Sequence, residues 1–373
     1  MLILAATLAI FVYGLIAPIL GALLPSYALT PTQQGSLGMA QALGLVIASL
    51  SAGPVIDIRG NRMALVTGLS LVAASLFAAP NAGGYSTLLI AYFVLGVGGG
   101  IVVTAANSLV GAVEPTRRGS ALNFLNLFFG LGGIITTFAA SYLTAIVLCY
   151  SVAALTVVAL AVNGATRMPS PSGEASFRLN EVPTLLSRPA LILLCLFLFL
   201  YVACEVGVWN WLKTYLISMH FDPRSAGGIV SYGFAFGILV GRVVVSRVLI
   251  KIPALTVTLA SSILMVITTF AMLHLHSQTS ITIAVFCAGL TMAPVFPTTL
   301  AITGDTFHRG AATALGIVIT CGWIGLAVSS PIIGALAENQ NYQRGLMLLP
   351  FFSLLMVLVN LALRPVLKRH VVA

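Results

Sequence analysis

The sequence predicts an all-α membrane protein in which twelve transmembrane helices form two pseudo-symmetric six-helix bundles. Composition is the first observation: 59% of the 373 residues are hydrophobic and 7% are charged, whereas a soluble domain carries about 25% charged residues. Length is the second, because a membrane-spanning helix needs roughly 20 apolar residues and twelve such runs follow one another along the chain. The third is an internal repeat that relates the two halves of the chain.

The predicted helices are the apolar runs between short polar turns. They cover residues 2–24, 35–56, 63–79, 87–112, 119–141, 145–164, 189–216, 225–247, 253–274, 281–303, 310–336 and 345–363. The first run has no basic segment before it and no small-residue cleavage site after it, so we interpret it as a retained helix rather than a signal peptide. The fifth and sixth runs have the least distinct boundary, because almost no polar residue separates Tyr142 from Val147.

Lysine and arginine predict the orientation of these helices. Fourteen of the 17 basic residues lie in the even-numbered turns and the carboxyl-terminal tail, namely Arg59, Arg62, Arg117, Arg118, Arg167, Arg178, Arg188, Arg242, Arg247, Lys251, Arg309, Arg364, Lys368 and Arg369. Because cytoplasmic loops are enriched in these residues, we predict that both termini are cytoplasmic. We expect this multi-pass protein to lie in a bacterial inner membrane. The same turns explain the net charge of +9, so we expect membrane lipids, and not nucleic acid, as partners.

Nothing in the sequence indicates an enzyme, a metal site or a cofactor. The five cysteines lie inside apolar runs without the spacing of metal ligands. There is no Ser/His/acid pattern, no pair of neighbouring carboxylates and no phosphate-binding loop after a strand. The glycine-rich stretch 96–100 lies inside the fourth apolar run, so we interpret it as a place where helices pack closely.

A central linker divides the chain. Residues 165–188 form the longest polar stretch and are rich in Pro, Ser and Gly, so we interpret them as a cytoplasmic linker. The linker separates a predicted amino-terminal bundle, 1–164, from a predicted carboxyl-terminal bundle, 189–373.

Corresponding turns in the two halves repeat a short pattern. Glu114 precedes an Arg118–Gly pair by four residues after the fourth run, and Asp305 precedes an Arg309–Gly pair by four residues after the tenth. The two copies lie 191 positions apart. This repeat at the scale of a half-chain indicates a duplicated six-helix unit.

The turn after the second run carries the most specific motif. Residues 53–62 read Gly-Pro-Val-Ile-Asp-Ile-Arg-Gly-Asn-Arg, and a degraded copy at 241–251 begins 188 positions later. Because lipid offers no hydrogen-bond partners to irregular backbone, we expect this polar turn to lie in water or among lipid headgroups.

This turn resembles the signature of the major facilitator superfamily, Gly-x3-Asp-x2-Gly-x-Arg, between its second and third helices. Gly53, Asp57, Gly60 and Arg62 match it, and Arg59 stands beside the position where the family usually has a basic residue. The resemblance implies the major facilitator fold and transport by alternating access. It also implies a gate on the cytoplasmic side, built from Asp57, Arg59, Arg62, Glu114, Arg118, Asp305 and Arg309.

Four shorter motifs resemble the fucose–galactose–glucose branch of this superfamily. They are Val103-Thr-Ala-Ala-Asn107, Leu122-Asn-Phe-Leu-Asn126, Tyr201-Val-Ala-Cys-Glu205-Val206 and Phe296-Pro-Thr298 after Gly289. The resemblance implies a monosaccharide substrate. Val103 and Gly21 occupy the positions where the fucose–proton symporters of that branch have carboxylates, so uniport and proton symport both remain open.

Glu205 is the one acidic residue near the middle of a predicted helix. A charged side chain at that depth costs roughly 2.5–3.5 kcal/mol on insertion scales. It is therefore either a substrate ligand and proton carrier or a structural carboxyl that bonds a neighbouring helix. No basic residue is predicted at a matching depth, so we expect no simple ion pair.

Amides and aromatic residues supply the other candidate substrate ligands. Asn123 and Asn126 share one face of the fifth helix with Gly130 and Gly133, and amides can donate to and accept from sugar hydroxyls. The alternative is that such residues hold helices together. Further candidates are Asn107, Gln41, Trp209, Asn210, Tyr232 and Trp323. For Trp209 the alternative is an aromatic residue at the membrane interface.

The preferred hypothesis is a monomeric transporter that moves a small polar solute, most simply a hexose, by rocking its two halves, as uniport or as symport with Glu205 carrying the proton. The alternative is an exporter of drugs or metabolites, a proton antiporter of the same superfamily. Those exporters carry Gly-x3-Gly-Pro-x2-Gly-Gly in the fifth helix, and this chain lacks the proline after Gly130. A membrane sensor is disfavoured because no soluble output domain is present.

Overall fold

The computed structural model describes residues 1–17, 19, 31–139, 143–169, 182–308, 310–337 and 342–372. Every regular element in this described part is helical. Eleven helices there are long and apolar enough to cross a membrane, and the shorter apolar helix Leu2–Ile16 lies where the first span is predicted. The prediction of an all-α membrane protein is therefore confirmed. The structure does not test which side of the membrane the termini occupy, and that orientation stays a prediction.

We label the membrane helices α1 to α12. Their bounds are α1 Leu2–Ile16, α2 Pro31–Arg59, α3 Asn61–Ala78, α4 Tyr85–Val113, α5 Arg118–Ala139, α6 Ala145–Ala165 and α7 Pro189–Ser218; α8 consists of Pro223–Gly228, Ile229–Ala235 and Phe236–Val248; α9 is Ala254–His274; α10 consists of Gln278–Met292 and Val295–Thr306; α11 is Ala311–Leu336; α12 consists of Tyr342–Leu346 and Leu348–Val372. A five-residue helix, Val182–Leu186, precedes α7.

Two membrane helices depart from regular α-helical geometry. Helix α10 is interrupted between Met292 and Val295, where Pro294 cannot donate a backbone hydrogen bond. The middle segment of α8, Ile229–Ala235, is a π-helix. A π-helical segment within an α-helix is rare and occurs frequently at functional sites.

The prediction of an irregular turn at residues 53–62 is wrong. Helix α2 continues through Pro54 to Arg59, and α3 begins at Asn61. Gly60 alone separates the two helices, with a φ of 87° that favours glycine because it has no Cβ. A single left-handed residue reverses the chain, so no longer turn is needed. The related stretch 241–251 is also largely helical, since α8 extends to Val248.

By spatial proximity the chain separates into two compact units. The first comprises residues 1–121, 125–183 and 307–320, and the second comprises 122–124, 184–306 and 321–373. In the first unit α4 packs against α1, α2 and α3, and α6 packs against α1 and α3. In the second unit α7 packs against α12 and the last part of α10, while α10 also packs against α8 and α9. The division into bundles 1–164 and 189–373 with a linker stays a proposal.

Glycines set the closest helix contacts of the first unit. A Cβ on Gly96 of α4 would lie 2.1 Å from the backbone oxygen of Gln41 in α2, and a Cβ on Gly44 of α2 would lie 2.3 Å from the backbone oxygen of Phe93. Helices in lipid associate through such close backbone packing. The close packing predicted for the glycine-rich stretch of the fourth helix is confirmed.

The α1–α5 contact allows a matched test of this packing. A Cβ on Gly132 would lie 2.6 Å from the backbone oxygen of Phe11. Among the described residues, a Cβ on Gly133 would have one neighbour within 4 Å, the Gly14 oxygen at 3.8 Å. We expect Gly132→Ala to lower the free energy of unfolding in detergent by about 1–3 kcal/mol through overpacking. Gly133→Ala changes the helix propensity equally but should not lower the free energy of unfolding. Equal effects of both substitutions would contradict this account.

Candidate functional site

Two predicted ligands, Asn107 and Asn126, meet in the first unit. Both side chains are buried, and the Asn126 amide nitrogen donates to the Asn107 side-chain oxygen at 2.9 Å. The Asn107 amide nitrogen donates to the backbone oxygen of Val103 at 2.8 Å. The pair links α4 to α5, and it places two side-chain amides side by side within the apolar part of this unit.

Asn123, which belongs to the second unit, has a hydrogen-bond partner in the same unit. Its amide nitrogen donates to the hydroxyl of Thr298 at 3.0 Å, and both side chains are buried. Thr298 belongs to the Phe-Pro-Thr motif after the break in α10. Two short motifs that the sequence analysis identified separately are thus joined by one hydrogen bond.

The remaining predicted ligands are less enclosed. Gln41 and Trp323 are partly buried, and Asn210 is exposed. Tyr232 lies in the π-helical segment of α8 and is 77% exposed. The ring of Trp209 is 41% exposed and meets the ring of Phe234 edge-on, with centroids 5.0 Å apart. Trp209 therefore connects α7 to the π-helical segment.

Glu205 forms the centre of a polar cluster in the second unit. The partly buried carboxylate interacts with the Trp209 indole, with the Tyr201 hydroxyl and electrostatically with the Arg242 guanidinium. The Tyr201 hydroxyl is fully buried and makes no hydrogen bond of normal geometry to any described residue. The cluster thus combines an acid, a base, a phenol and an indole within apolar helices.

The expectation that Glu205 has no basic neighbour is wrong. Arg242 is 3% exposed and lies six residues before the end of α8, inside the span rather than in the following turn. Arg242 was counted with the basic turn that follows the eighth run, although the predicted run 225–247 already contains it. The contrary signal was present, because Ile-Leu-Val-Gly precedes Arg242 and Val-Val-Val follows it.

Asp57 binds the amino-terminal end of α11 within the first unit. Its carboxylate accepts from the backbone N–H of Ala312 at 3.2 Å, from the backbone N–H of Thr313 at 2.8 Å and from the Thr313 hydroxyl at 2.7 Å. The first N–H groups of a helix have no partner within that helix, and negative charge is favourable at that end. Asp57 therefore caps α11 from a distant part of the chain.

Two glycines bring α2 and α11 close enough for this cap. A Cβ on Gly53 would lie 2.5 Å from the backbone oxygen of Ala312, and a Cβ on Gly316 would lie 2.4 Å from that of Ser49. Gly310, with a φ of 70°, precedes α11. The first glycine of the signature motif is thus explained by helix contact as well as by sequence resemblance.

The other predicted gating residues bond backbone oxygens of the first unit, are partly buried, or lie at the surface. Arg62 donates to the backbone oxygen of Gly164 through both Nε and Nη2. The Nε of Arg118 donates to the backbone oxygen of Gly111 at 2.7 Å. Glu114 is partly buried after α4, and Arg59 and Asp305 are exposed. Arg309 lies outside the described residues.

Comparison with known proteins identifies the family. A family model described as Major Facilitator Superfamily matches residues 2–330 and again 225–372. The chain belongs to the Major Facilitator Superfamily. As a member of that superfamily it is a multi-pass integral membrane protein and a secondary transporter of a small-molecule substrate, and it is not an enzyme.

Individual proteins are similar to most of the chain. Bypass of stop codon protein 6 of Saccharomyces cerevisiae is 23% identical, with coverage of 91% of this chain and 78% of that protein. The 3-(3-hydroxy-phenyl)propionate transporter of Escherichia coli is 25% identical, with coverage of 84% and 79%. The structure of the E. coli fucose:proton symporter FucP matches with a TM-score of 0.81 at 17% identity, covering 99% of this chain and 98% of that one.

These similarities confirm the predicted superfamily and fold class. The similarity to the fucose symporter concerns the fold alone, because only 17% of residues are identical. The roles of the predicted site residues stay proposals.

Proposed function

We propose that this facilitator-superfamily transporter moves a monosaccharide, most simply a hexose, across the membrane by alternating access. The observation that carries the proposal is the arrangement around Glu205. A carboxylate, an exposed indole ring and the neighbouring amide of Asn210 lie within two turns of α7. A carboxylate accepts hydrogen bonds from hydroxyls, an amide both donates and accepts, and an aromatic ring offers a flat apolar surface.

The buried amide pair of the first unit supports the same proposal. Asn126 stands at the position that resembles the sugar-binding amide of the fucose–galactose–glucose branch, and its hydrogen bond to Asn107 orients both side chains. Uniport and proton symport through Glu205 are both compatible with this arrangement. We further propose that the transporter is a monomer in the bacterial inner membrane.

Uptake into proteoliposomes tests the substrate class. The purified chain should accelerate entry of at least one labelled hexose from a panel, and unlabelled substrate inside the vesicles should increase that entry by counterflow. Transport of a lipophilic cation driven by a pH gradient, with no hexose transported, would replace the proposal by the exporter alternative.

Asn126→Ala tests the amide pair. Each hydrogen bond contributes about 0.5–1.5 kcal/mol, and a tenfold change in affinity corresponds to 1.4 kcal/mol. If the substitution removes one or two bonds to the sugar, KM for the transported hexose should rise by about three- to thirtyfold.

Asn163→Ala is the matched control. Asn163 is a buried amide of the same unit whose nitrogen donates to the backbone oxygens of Ala5 and Ala159 at 3.1 and 2.9 Å. We expect KM to stay within twofold of the original value in this variant. An equal rise in KM in both variants would indicate a structural role for Asn126.

A second candidate substrate is a small organic acid. The E. coli relative that covers 84% of this chain is named for 3-(3-hydroxy-phenyl)propionate, an aromatic carboxylate. In the same vesicles, saturable entry of this acid without entry of any hexose would favour the second candidate.

A further inference from the structure

Arg242 is a buried charged group that has no role in the proposed function. It lies in the membrane-spanning part of α8, 3% exposed, where an unpaired cation is costly. Gly241 holds this turn of α8 against α10, because a Cβ there would lie 2.7 Å from the backbone oxygen of Leu290. This contact fixes the turn of α8 that carries Arg242, and the Arg242 guanidinium interacts electrostatically with the Glu205 carboxylate.

The groups around Arg242 have the chemistry of a carboxylate site. A guanidinium presents a planar fork of donors that matches a carboxylate, and it already interacts with the carboxylate of Glu205. The buried Tyr201 hydroxyl is a further donor near the Glu205 carboxylate. The partly exposed Trp209 ring adjoins the same acid and offers an apolar surface to a ring.

We propose that Arg242 binds the carboxylate of an anionic solute, a sugar acid, and that this solute takes the place of Glu205, which accepts a proton. The inference rests on the proposed function and narrows its substrate class from a monosaccharide to a monosaccharide that carries a carboxylate. Neutral hexoses then bind only through the amide and aromatic groups.

Charge balance explains why the proton accompanies the solute. Glu205 and Arg242 together carry no net charge, and a bound carboxylate adds one negative charge. One proton from the water on the entry side neutralises the Glu205 carboxylate. It returns to water on the exit side when the solute leaves and the ionised carboxylate again compensates the charge of Arg242. The ionisable groups that interact with Glu205 in the described part of the chain are Arg242, Tyr201 and Cys204. The cycle therefore moves one carboxylate with one proton, without net charge.

The test measures competition in proteoliposomes that contain the full chain. The transported probes are labelled D-glucuronate and labelled D-glucose. The competitors are unlabelled D-glucuronate, its neutral methyl ester and D-glucose, which share one ring and differ in the carboxylate. We expect D-glucuronate to compete at least tenfold better than the ester or D-glucose. Arg242→Gln should abolish this preference and Arg242→Lys should retain part of it. Arg247→Gln, which changes an exposed arginine of the same helix, should leave the preference unchanged.

Membrane potential tests the role of Glu205. In the original protein, a potassium diffusion potential set with valinomycin should not change the rate of D-glucuronate entry, because the cycle is electroneutral. In Glu205→Gln the solute moves without the proton, so a potential that is positive inside should accelerate its entry severalfold. Entry that remains insensitive to the potential in Glu205→Gln would overturn the proton step.

The outcomes separate this inference from the proposed function. Transport of D-glucose with equal competition by D-glucuronate and its ester would overturn the carboxylate site and leave the hexose proposal standing. Arg242-dependent transport of 3-(3-hydroxyphenyl)propionate, without transport of any sugar, would retain the carboxylate site and overturn the hexose proposal. A preference for D-glucuronate that survives in Arg242→Gln, in protein shown to be folded by its thermal unfolding, would overturn the assignment of Arg242.

Discussion

Asp57→Asn is expected to reduce the initial rate of transport by about ten- to a hundredfold. The carboxylate accepts three hydrogen bonds from Ala312 and Thr313 at the start of α11. An amide keeps one accepting oxygen and adds a donor that faces other donors, and it removes the negative charge from the helix end. A hydrogen bond to a charged group contributes about 1.5–3 kcal/mol, and each 1.4 kcal/mol changes an equilibrium tenfold.

Uptake rates at equal amounts of folded protein in the vesicles measure this effect. Thr313→Val, which removes one of the three bonds, should have a smaller effect than Asp57→Asn, and Thr313→Ser should be nearly silent. Asp222→Asn is the matched control, because Asp222 is exposed and also accepts from a backbone N–H, that of Ser225 at 3.1 Å. A rate within twofold of the original in Asp57→Asn would show that the cap on α11 does not limit transport.

The second large effect concerns stability. Glu205 and Arg242 interact electrostatically between apolar helices. Removing one of two interacting buried charges leaves the other uncompensated, at a cost of up to about 3–5 kcal/mol, whereas replacing both is often nearly neutral. We therefore expect Arg242→Gln to lower the free energy of unfolding by about 3–5 kcal/mol. The double variant Glu205→Gln/Arg242→Gln should regain most of that loss.

A double-mutant cycle compares the original protein, the two single variants and the double variant. Chemical denaturation of these four proteins in detergent gives the coupling energy between the two side chains. Glu205→Gln alone completes the cycle, and it is expected to destabilise the protein by leaving the guanidinium of Arg242 uncompensated. Additive losses in the double variant would mean that Glu205 and Arg242 do not interact as a pair. The double variant also serves in the transport assays as a folded protein that lacks both charges.

Much of the fold is predictable from local sequence. A backbone in lipid must satisfy its own hydrogen bonds, so runs of about twenty apolar residues become helices whatever their neighbours are. This is why the predicted spans agree closely with α3 to α11, whereas α12 extends nine residues beyond its predicted end at residue 363. Part of the uncertain boundary between the fifth and sixth spans, residues 140–142, lies outside the described residues. The turn at residues 53–62 is predicted less well, because one glycine with a positive φ was sufficient to reverse the chain.

The composition and motifs of this chain determined that it is a helical, multi-pass membrane protein of the Major Facilitator Superfamily. Only the tertiary structure decided which polar groups meet. Asp57 and Thr313 are 256 positions apart, and Asn123 and Thr298 are 175 apart. Glu205 interacts electrostatically with Arg242 of another helix, which had been counted with the basic turns. The physical reason is that these helices are apolar on nearly every face. Hydrophobicity therefore places them in the membrane but does not set their rotation about their own axes. That rotation, set by glycine contacts and helix packing, is what brings each charge to its partner.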